Sequence, residues 1–378
     1  MKILKKINLV VFILFMGFGL SSCTLFESED SNDNKQPPII SNVAQTITLT
    51  QSEIEHIPST VEEAVALVYD SVVIINASSI SGAGSGSGVM IAESEKYTYI
   101  ITCHHVIEGA TNFEVILSDN SSYEGILIGG DNQTDIAVIA IEKTGLTLAT
   151  FIDDSHNVGL ASTVIAIGNP LGTLGGSVTV GVVSSTNRLI EMSDGTSKDL
   201  IQTDAAINSG NSGGGLFNIN GQLIGIVNAK YSATGVEGLG FAIPANTAKS
   251  IALGLMEKGY VEGRYNLGVT FSDGYYKTGG FFGTTYKVVY VSSIDKNGSC
   301  YGLLELEDIL VGVRVDYKDE NKQDDALTAF SEAQDVINFF NGLELTIGDT
   351  IVYTIKRGNI NSGSIEVKVE VQQYVYTN

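Results

Sequence analysis

Residues 202–216 read Gln202-Thr203-Asp204-Ala205-Ala206-Ile207-Asn208-Ser209-Gly210-Asn211-Ser212-Gly213-Gly214-Gly215-Leu216, a serine set among glycines. Glycines let the backbone turn sharply and aim its amides at one point, as negative charge developing on a carbonyl oxygen requires. Ser212 has Gly210 two residues before it and Gly213-Gly214 directly after it, which makes it the candidate nucleophile. The amides of Gly210 and Ser212, on either side of Asn211, are the candidate oxyanion donors. Ser209 is a rival, because Asn208-Ser209-Gly210 echoes Asn211-Ser212-Gly213, but it lacks the glycine before and the pair after. Taken alone, the run also fits a glycine-rich turn between two strands.

A serine hydroxyl needs an adjacent base, usually an imidazole oriented by a carboxylate. The four histidines are His56, His104, His105 and His156. His56 precedes the patterned region, and His156 follows Asp153-Asp154-Ser155 in a surface turn. His104 and His105 end the apolar run Tyr99-Ile100-Ile101-Thr102, and either could be a satisfied polar group at a strand end. Asp135 opens the apolar stretch Ile136-Ala137-Val138-Ile139 and is the carboxylate candidate. The order along the chain is His, Asp, Ser, one of the known orders of a catalytic triad.

Around these segments the chain reads as short strands punctuated by glycine. They include Val72–Ile75, Val89–Ile91, Tyr97–Thr102, Phe113–Leu117, Ile136–Ile141, Thr163–Ile167 and Leu223–Val227. Such spacing without long intervening helices predicts an all-β barrel or sandwich. Thr60 with Glu63 predicts a capping box opening a helix over Val61–Val68, and an amphipathic helix over Ala245–Lys258 should end at Gly259. A second set of strands over residues 264–372, with a helix near Ala333–Phe340, is long enough for a domain of its own.

With 43% hydrophobic and 17% charged residues over 378 positions, the chain can bury more than one core, which excludes global disorder. A formal charge of −22 with no basic stripe argues against nucleic acid as a partner. Lys2, Lys5 and Lys6 followed by the apolar run Ile7–Leu20 read as an export signal. Leu20-Ser21-Ser22-Cys23 resembles a bacterial lipobox, which implies residues 1–22 as signal peptide, a lipidated Cys23 and membrane attachment outside the cytoplasm. The acidic, Ser- and Asn-rich stretch that follows predicts a tether over residues 23–58. Cys103 and Cys300 lie far apart, and no Cys/His spacing fits a zinc site, so neither a disulfide framework nor a metal or other cofactor is expected.

Six ordered motifs carry a family resemblance. They are Gly84-Ser85-Gly86-Ser87-Gly88-Val89, Thr102-Cys103-His104-His105-Val106-Ile107, Thr134-Asp135-Ile136-Ala137-Val138, Ala166-Ile167-Gly168-Asn169-Pro170, the Gly210–Gly214 run and Gly238-Leu239-Gly240-Phe241-Ala242-Ile243-Pro244. Together they resemble the HtrA/DegP family of trypsin-like serine proteases with a C-terminal PDZ domain. The resemblance implies a mainly β protein, with a chymotrypsin/trypsin-like double β-barrel over residues 59–260 and a PDZ-like β-sandwich with short helices over 264–374. The family pattern Thr-x-x-His-Val selects His105 over His104 as base, with Asp135 orienting it and Ser212 as nucleophile. Leu171–Ser177 falls among the family's regulatory loops. The specificity pocket is expected near Ala206 and Ile207, whose uncharged side chains favour cleavage after small or medium aliphatic residues.

In the second domain, Asn266-Leu267-Gly268-Val269 matches the loop that captures a C-terminal carboxylate while the peptide adds a strand to the sheet. Glu307 stands where the family pattern has a glycine, and Gly274–Lys287 is an aromatic insertion that either reshapes the groove or packs on its own domain. The short segment Ala92–Lys96 favours a homotrimer over larger cages. Expected partners are misfolded or unfolded polypeptides, C-terminal peptides and the membrane. Two other functions compete with a general protease: an envelope chaperone or binding protein with little proteolysis, and a regulatory protease that cuts one partner.

Overall fold

The computed structural model describes residues 58–80, 82–168, 176–191, 197–229, 238–278, 283–319, 321–322 and 326–376. The signal segment, Cys23, most of the tether and residues 169–175 lie outside the described residues.

Helix α1 (Val61–Val68) starts as the sequence predicts at one end of its cap. Thr60 Oγ1 accepts the Glu63 N–H at 3.2 Å, but the Glu63 carboxylate reaches back to the Ser59 N–H at 2.7 Å, one residue earlier than a capping box would place it.

Six strands then close into a barrel: β1 (Val72–Ser79), β2 (Gly82–Glu93), β3 (Thr98–Cys103), β4 (Asn112–Ile116), β5 (Ser122–Asp131) and β6 (Ile136–Ile141), in the order β1-β2-β3-β6-β5-β4. Alternation along β6 explains its unbroken apolar sequence. Ala137, Ile139 and Ile141 join a core built with Val73, Ile75, Met90 and Ile100 of the same barrel. Ile136, Val138 and Ala140 join a second core shared with Ile165, Phe217, Leu223 and Ile243 further along the chain. Successive side chains point to opposite faces, and here both faces are dry.

The second barrel comprises β8 (Thr163–Gly168), β9 (Ser177–Glu191), β10 (Ser197–Thr203), β11 (Gly215–Asn218), β12 (Gln222–Val227) and β13 (Gly240–Pro244). They run β11-β8-β9-β10-β13-β12, and a β11–β12 pairing closes the ring, while β7 (Thr150–Phe151) adds alongside β12 in parallel. A short helix, α2 (His104–Ile107), leaves the end of β3. Helix α3 (Ala245–Lys258) buries Ala248, Ile251, Ala252, Leu255 and Met256 in the shared core, and packs on β5 and β6 of one barrel and on β12 and β13 of the other. Gly259 ends it in a left-handed conformation at φ +77°, its N–H bonded to the Leu255 carbonyl.

A further antiparallel sheet follows in simple order: β14 (Val269–Lys277), β15 (Thr285–Ile294), β16 (Ile309–Asp316), β17 (Thr350–Lys356) and β18 (Ile365–Glu370). Helix α4 (Ala333–Asn341) covers it through Val336, in a core with Val291, Val313 and Tyr353. Cys300 lies in this core with its thiol pushed up to about 12 by burial, while Cys103 lies in the core shared by the barrels. Beyond β18 the chain returns to the first barrel, where Tyr374 and Tyr376 complete the core that Ile139 and Ile100 belong to.

Candidate active site

The register of β3 against β6 assembles half of the site. Cys103 pairs with Ile136, so the next residues on each side, His104 and Asp135, meet across the strand ends. The His104 N–H donates to the Asp135 carbonyl at 3.0 Å, continuing the ladder by one bond. The single turn of α2 then lifts the following residue, and it is His105 whose ring turns to Asp135, with Nδ1 at 2.7 Å from Oδ2. The His105 backbone N–H donates to the other carboxylate oxygen, Oδ1, at 2.9 Å. Asp135 adopts φ +63°, a left-handed conformation that costs a non-glycine residue about 1 kcal/mol or more.

Asp135 is 2% exposed. Burial works against its charge, but the hydrogen bonds from the His105 ring, from the Asn228 amide and from the His105 backbone win, and its carboxyl lies below the ordinary aspartate range. An ionised Asp135 at neutral pH makes the His105 Nδ1 the donor, which leaves Nε2 as the basic nitrogen.

The other half comes from the second barrel. Ser212 sits in the loop between β10 and β11, where Gly210 and Gly213 take φ +98° and +85°. Only glycine fits at 213, since a Cβ there would come within 2.1 Å of the Ser87 carbonyl oxygen and 2.3 Å of Thr102 Oγ1. Strand β2 grips this loop. The Ser87 N–H donates to the Ser212 carbonyl at 2.8 Å, and the Ser87 hydroxyl donates to the Gly210 carbonyl at 2.7 Å. A Cβ at Gly86 would strike Val106 at 2.7 Å, which accounts for the glycine in that stretch of β2. Among the described residues, none accepts a backbone bond from the amides of Gly210 and Ser212. The Ser212 hydroxyl accepts the Ala229 N–H at 3.2 Å.

Two contributors were not legible as site residues. Asn228, fully buried after the apolar run of β12, donates from Nδ2 to Asp135 Oδ2 at 2.7 Å and so ties the second barrel to the carboxylate of the first. Ser87 fixes the nucleophile loop as described. An amide directly after an apolar run was the signal for Asn228, and Ser87 lay within the Gly84–Val89 family motif, which assigned it no role.

The remaining candidates separate clearly. His156 is a surface residue bonded to Asp154, whose carboxyl is held at about 2 by the His156 N–H, Asn246 and the His156 ring. Ser209 is exposed and Ser212 is 6% exposed. Ala206 is exposed, its carbonyl accepting from Thr179 Oγ1, and Ile207 is half-buried against Gly240. Cys103, His105 and Asp135 bring one donor atom each within 4.8 Å of one another, and among them His105 Nδ1 and Asp135 Oδ2 share the 2.7 Å hydrogen bond.

In the further sheet, the carbonyls of Asn266, Leu267 and Gly268 accept from Ser299, Cys300 and Asp295, which fixes the loop leading into Val269. Gly268 (φ +66°) lies so close to Gly298 that neither admits a side chain. Strand β14 is at the edge of its sheet, and Glu307 adopts the left-handed φ +69° that a glycine would hold without cost.

The geometry can therefore hold an oriented imidazole and a serine across the junction of two barrels. A family profile described as "Trypsin-like peptidase domain" matches residues 86–226. The chain is 42% identical over 244 residues to "Serine protease Do-like HtrA" of Bacillus subtilis, covering 61% of this chain and 54% of that protein. It is 42% identical over 221 residues to "Probable periplasmic serine endoprotease DegP-like" of Rickettsia prowazekii, covering 57% and 42%. It thus spans about half the length of these two relatives. It is 33% identical over 300 residues to "Serine protease Do-like HtrA" of Lactobacillus helveticus, covering 76% of this chain and 68% of that one. A solved structure titled "HtrA-type protease AlgW with tripeptide" aligns at a TM-score of 0.51 and 26% identity, covering 84% of this chain and 98% of that one. Fold, motif order and these likenesses agree: the chain belongs to the HtrA/DegP family of trypsin-like serine proteases.

Proposed function

We propose that the chain is an extracytoplasmic serine endopeptidase that cleaves misfolded or exposed polypeptides. The carrying observation is the buried Asp135, bonded by the ring and backbone of His105 and by Asn228, at the junction where Ser87 holds the Ser212 loop. Ser212 attacks the peptide carbonyl while His105 Nε2 takes its proton, and Asp135 fixes the tautomer and stabilises the imidazolium. The amides of Gly210 and Ser212, flanking Asn211, receive the oxyanion. The imidazolium returns its proton to the leaving amine, and water activated by His105 then hydrolyses the acyl-enzyme. Uncharged Ala206 and Ile207 support cleavage after small or medium aliphatic residues.

In the same reading residues 59–260 are the protease domain and 264–374 a PDZ-like regulatory domain. The edge position of β14 and the fixed loop Asn266–Val269 suit a C-terminal peptide that adds a strand and places its carboxylate on the loop amides. Residues 1–22 are the signal peptide, Cys23 carries the lipid that anchors the tether to a membrane, and the working form is a homotrimer.

Cleavage of unfolded β-casein by the full chain, wild type beside Ser212→Ala, tests the reading. It requires cleavage by the wild type and none by the variant; equal cleavage by both rejects Ser212 as nucleophile. One observation favours a second reading, a chaperone or binding protein with little proteolysis: the Ser212 hydroxyl is engaged by the Ala229 N–H. That reading requires equal suppression of aggregation by both proteins with no cleavage by either.

A further inference from the structure

His105 stands on little regular structure. Its helix, His104–Ile107, is one turn, too short to hold its place by its own hydrogen bonds. The support comes from far along the chain. The Tyr376 ring lies edge-on to the His104 ring, with centroids 4.5 Å apart and planes at 72°. The Tyr376 hydroxyl accepts the Gly109 N–H at 3.2 Å. One side chain thus brackets the turn, touching the residue before His105 and the left-handed glycine just past the turn's end. The fit is close, since a Cβ at Gly130 would come within 2.7 Å of the His104 ring and 3.2 Å of the Tyr376 ring.

The segment that carries Tyr376 is itself pinned. The Tyr374 N–H donates to the Arg264 carbonyl at 2.8 Å, and the Gln373 amide donates to the carbonyls of Val261 and Arg264. The Arg264 guanidinium in turn meets Asp131 at 3.3 Å. Asp131 is 1% exposed and accepts from the N–H and hydroxyl of Thr134, capping the turn that delivers Asp135. The chain entering the further sheet therefore grips the carboxylate's turn, and the chain leaving it grips the histidine's.

We infer that Tyr376 is a positioning residue for His105, which holds the imidazole in register with Asp135 from beyond the further sheet. This rests on the reading of His105 as the base for Ser212. The test is the rate at which the full chain is labelled by a fluorophosphonate probe between pH 5 and 9. The serine oxygen bonds to phosphorus, fluoride leaves and His105 takes the hydroxyl proton, so the rate reports the site without substrate recognition.

Tyr376→Leu fills the space without the ring edge or the hydroxyl, and is expected to label about 10-fold more slowly, with the acid limb of its pH profile displaced. Tyr376→Phe keeps the ring contact and is expected within about 3-fold of wild type. Gly130→Ala, which pushes the two rings apart, is expected to slow labelling as the leucine variant does, and decides the matter if the leucine variant fails to unfold cooperatively. Wild-type rates and pH profiles in both Tyr376→Leu and Gly130→Ala overturn the inference, whereas a phenylalanine variant as slow as the leucine one supports it and assigns the positioning to the hydroxyl bond with the Gly109 N–H. A wild type that does not label, with Ser212→Ala as its blank, overturns the triad reading and this inference together. Labelling of wild type with indifferent Tyr376 variants overturns this inference alone.

Discussion

Asn228→Ala removes a side chain that carries the second barrel's grip to the carboxylate of the first. The lost bond is short, 2.7 Å from Nδ2 to Oδ2, and both residues are buried, Asn228 at 0% and Asp135 at 2% exposure. A hydrogen bond to a charged group contributes about 1.5–3 kcal/mol, and its loss leaves a buried anion with one partner fewer. At about 1.4 kcal/mol per decade, kcat/KM should fall by about 10- to 100-fold if the bond is fully in use while His105 carries its positive charge. A stability loss of about 2 kcal/mol should lower the unfolding midpoint by about 4–8 °C.

The pH dependence has a definite sign. The folded Asp135 pKa is lowered, so the stability its contacts supply is complete above the unfolded aspartate value and is lost as pH falls through the depressed folded value. The gap between wild type and Asn228→Ala in urea unfolding should therefore be full at pH 7 and much smaller near pH 2. A variant with wild-type kcat/KM, or a stability gap equal at both pH values, would refute the assignment of Asn228 to the carboxylate.

Gly213→Ala should abolish casein cleavage, because its Cβ would overlap the Ser87 carbonyl at a left-handed φ; loss of more than about 3 kcal/mol or displacement of the loop should show in thermal unfolding and in serine labelling. Ser87→Ala removes the hydroxyl bond to the Gly210 carbonyl, and should reduce kcat by about 5-fold, for a bond of about 1 kcal/mol, with KM little changed. Arg357→Ala leaves Asp308, 1% exposed, without the guanidinium that meets it at 2.7 Å. Breaking such a pair costs about 3 kcal/mol or more, and hydrogen exchange should locate the loss in β16 and β17.

Local pattern carried the strands, because alternation and glycine punctuation are written into adjacent residues. It singled out Ser212 as the candidate nucleophile, because Gly210 before it and Gly213-Gly214 after it are close neighbours in the chain. The choice between His104 and His105 was not local. It follows from the Cys103–Ile136 register and from a helix of one turn, and only the family motif anticipated it. Asn228 resembled any polar residue ending a strand, and Ser87 resembled a spacer between glycines. Their roles depend on partners more than ninety residues away in the chain, across barrels whose packing no window of sequence displays. The capping box at Thr60 was half right for a smaller reason. Ser59 offers Glu63 both an N–H and a hydroxyl, so the carboxylate reaches past the cap residue.

Completion of the first barrel's core by Tyr374 and Tyr376 has a consequence for the order in which the molecule can form. Strands β1 to β6 emerge from synthesis first, yet their shared face waits for α3 and their inner core for two tyrosines made after an entire further sheet. Contacts so distant in sequence form slowly, because loop closure is costly before they add stability. A fragment ending near residue 260 would emerge with an unfilled cavity beside His104, so removing the further sheet would also remove part of the barrel. The nascent chain spends the longest time exposing the isoleucine-rich strands of its first barrel, and the last described turn of backbone seals them.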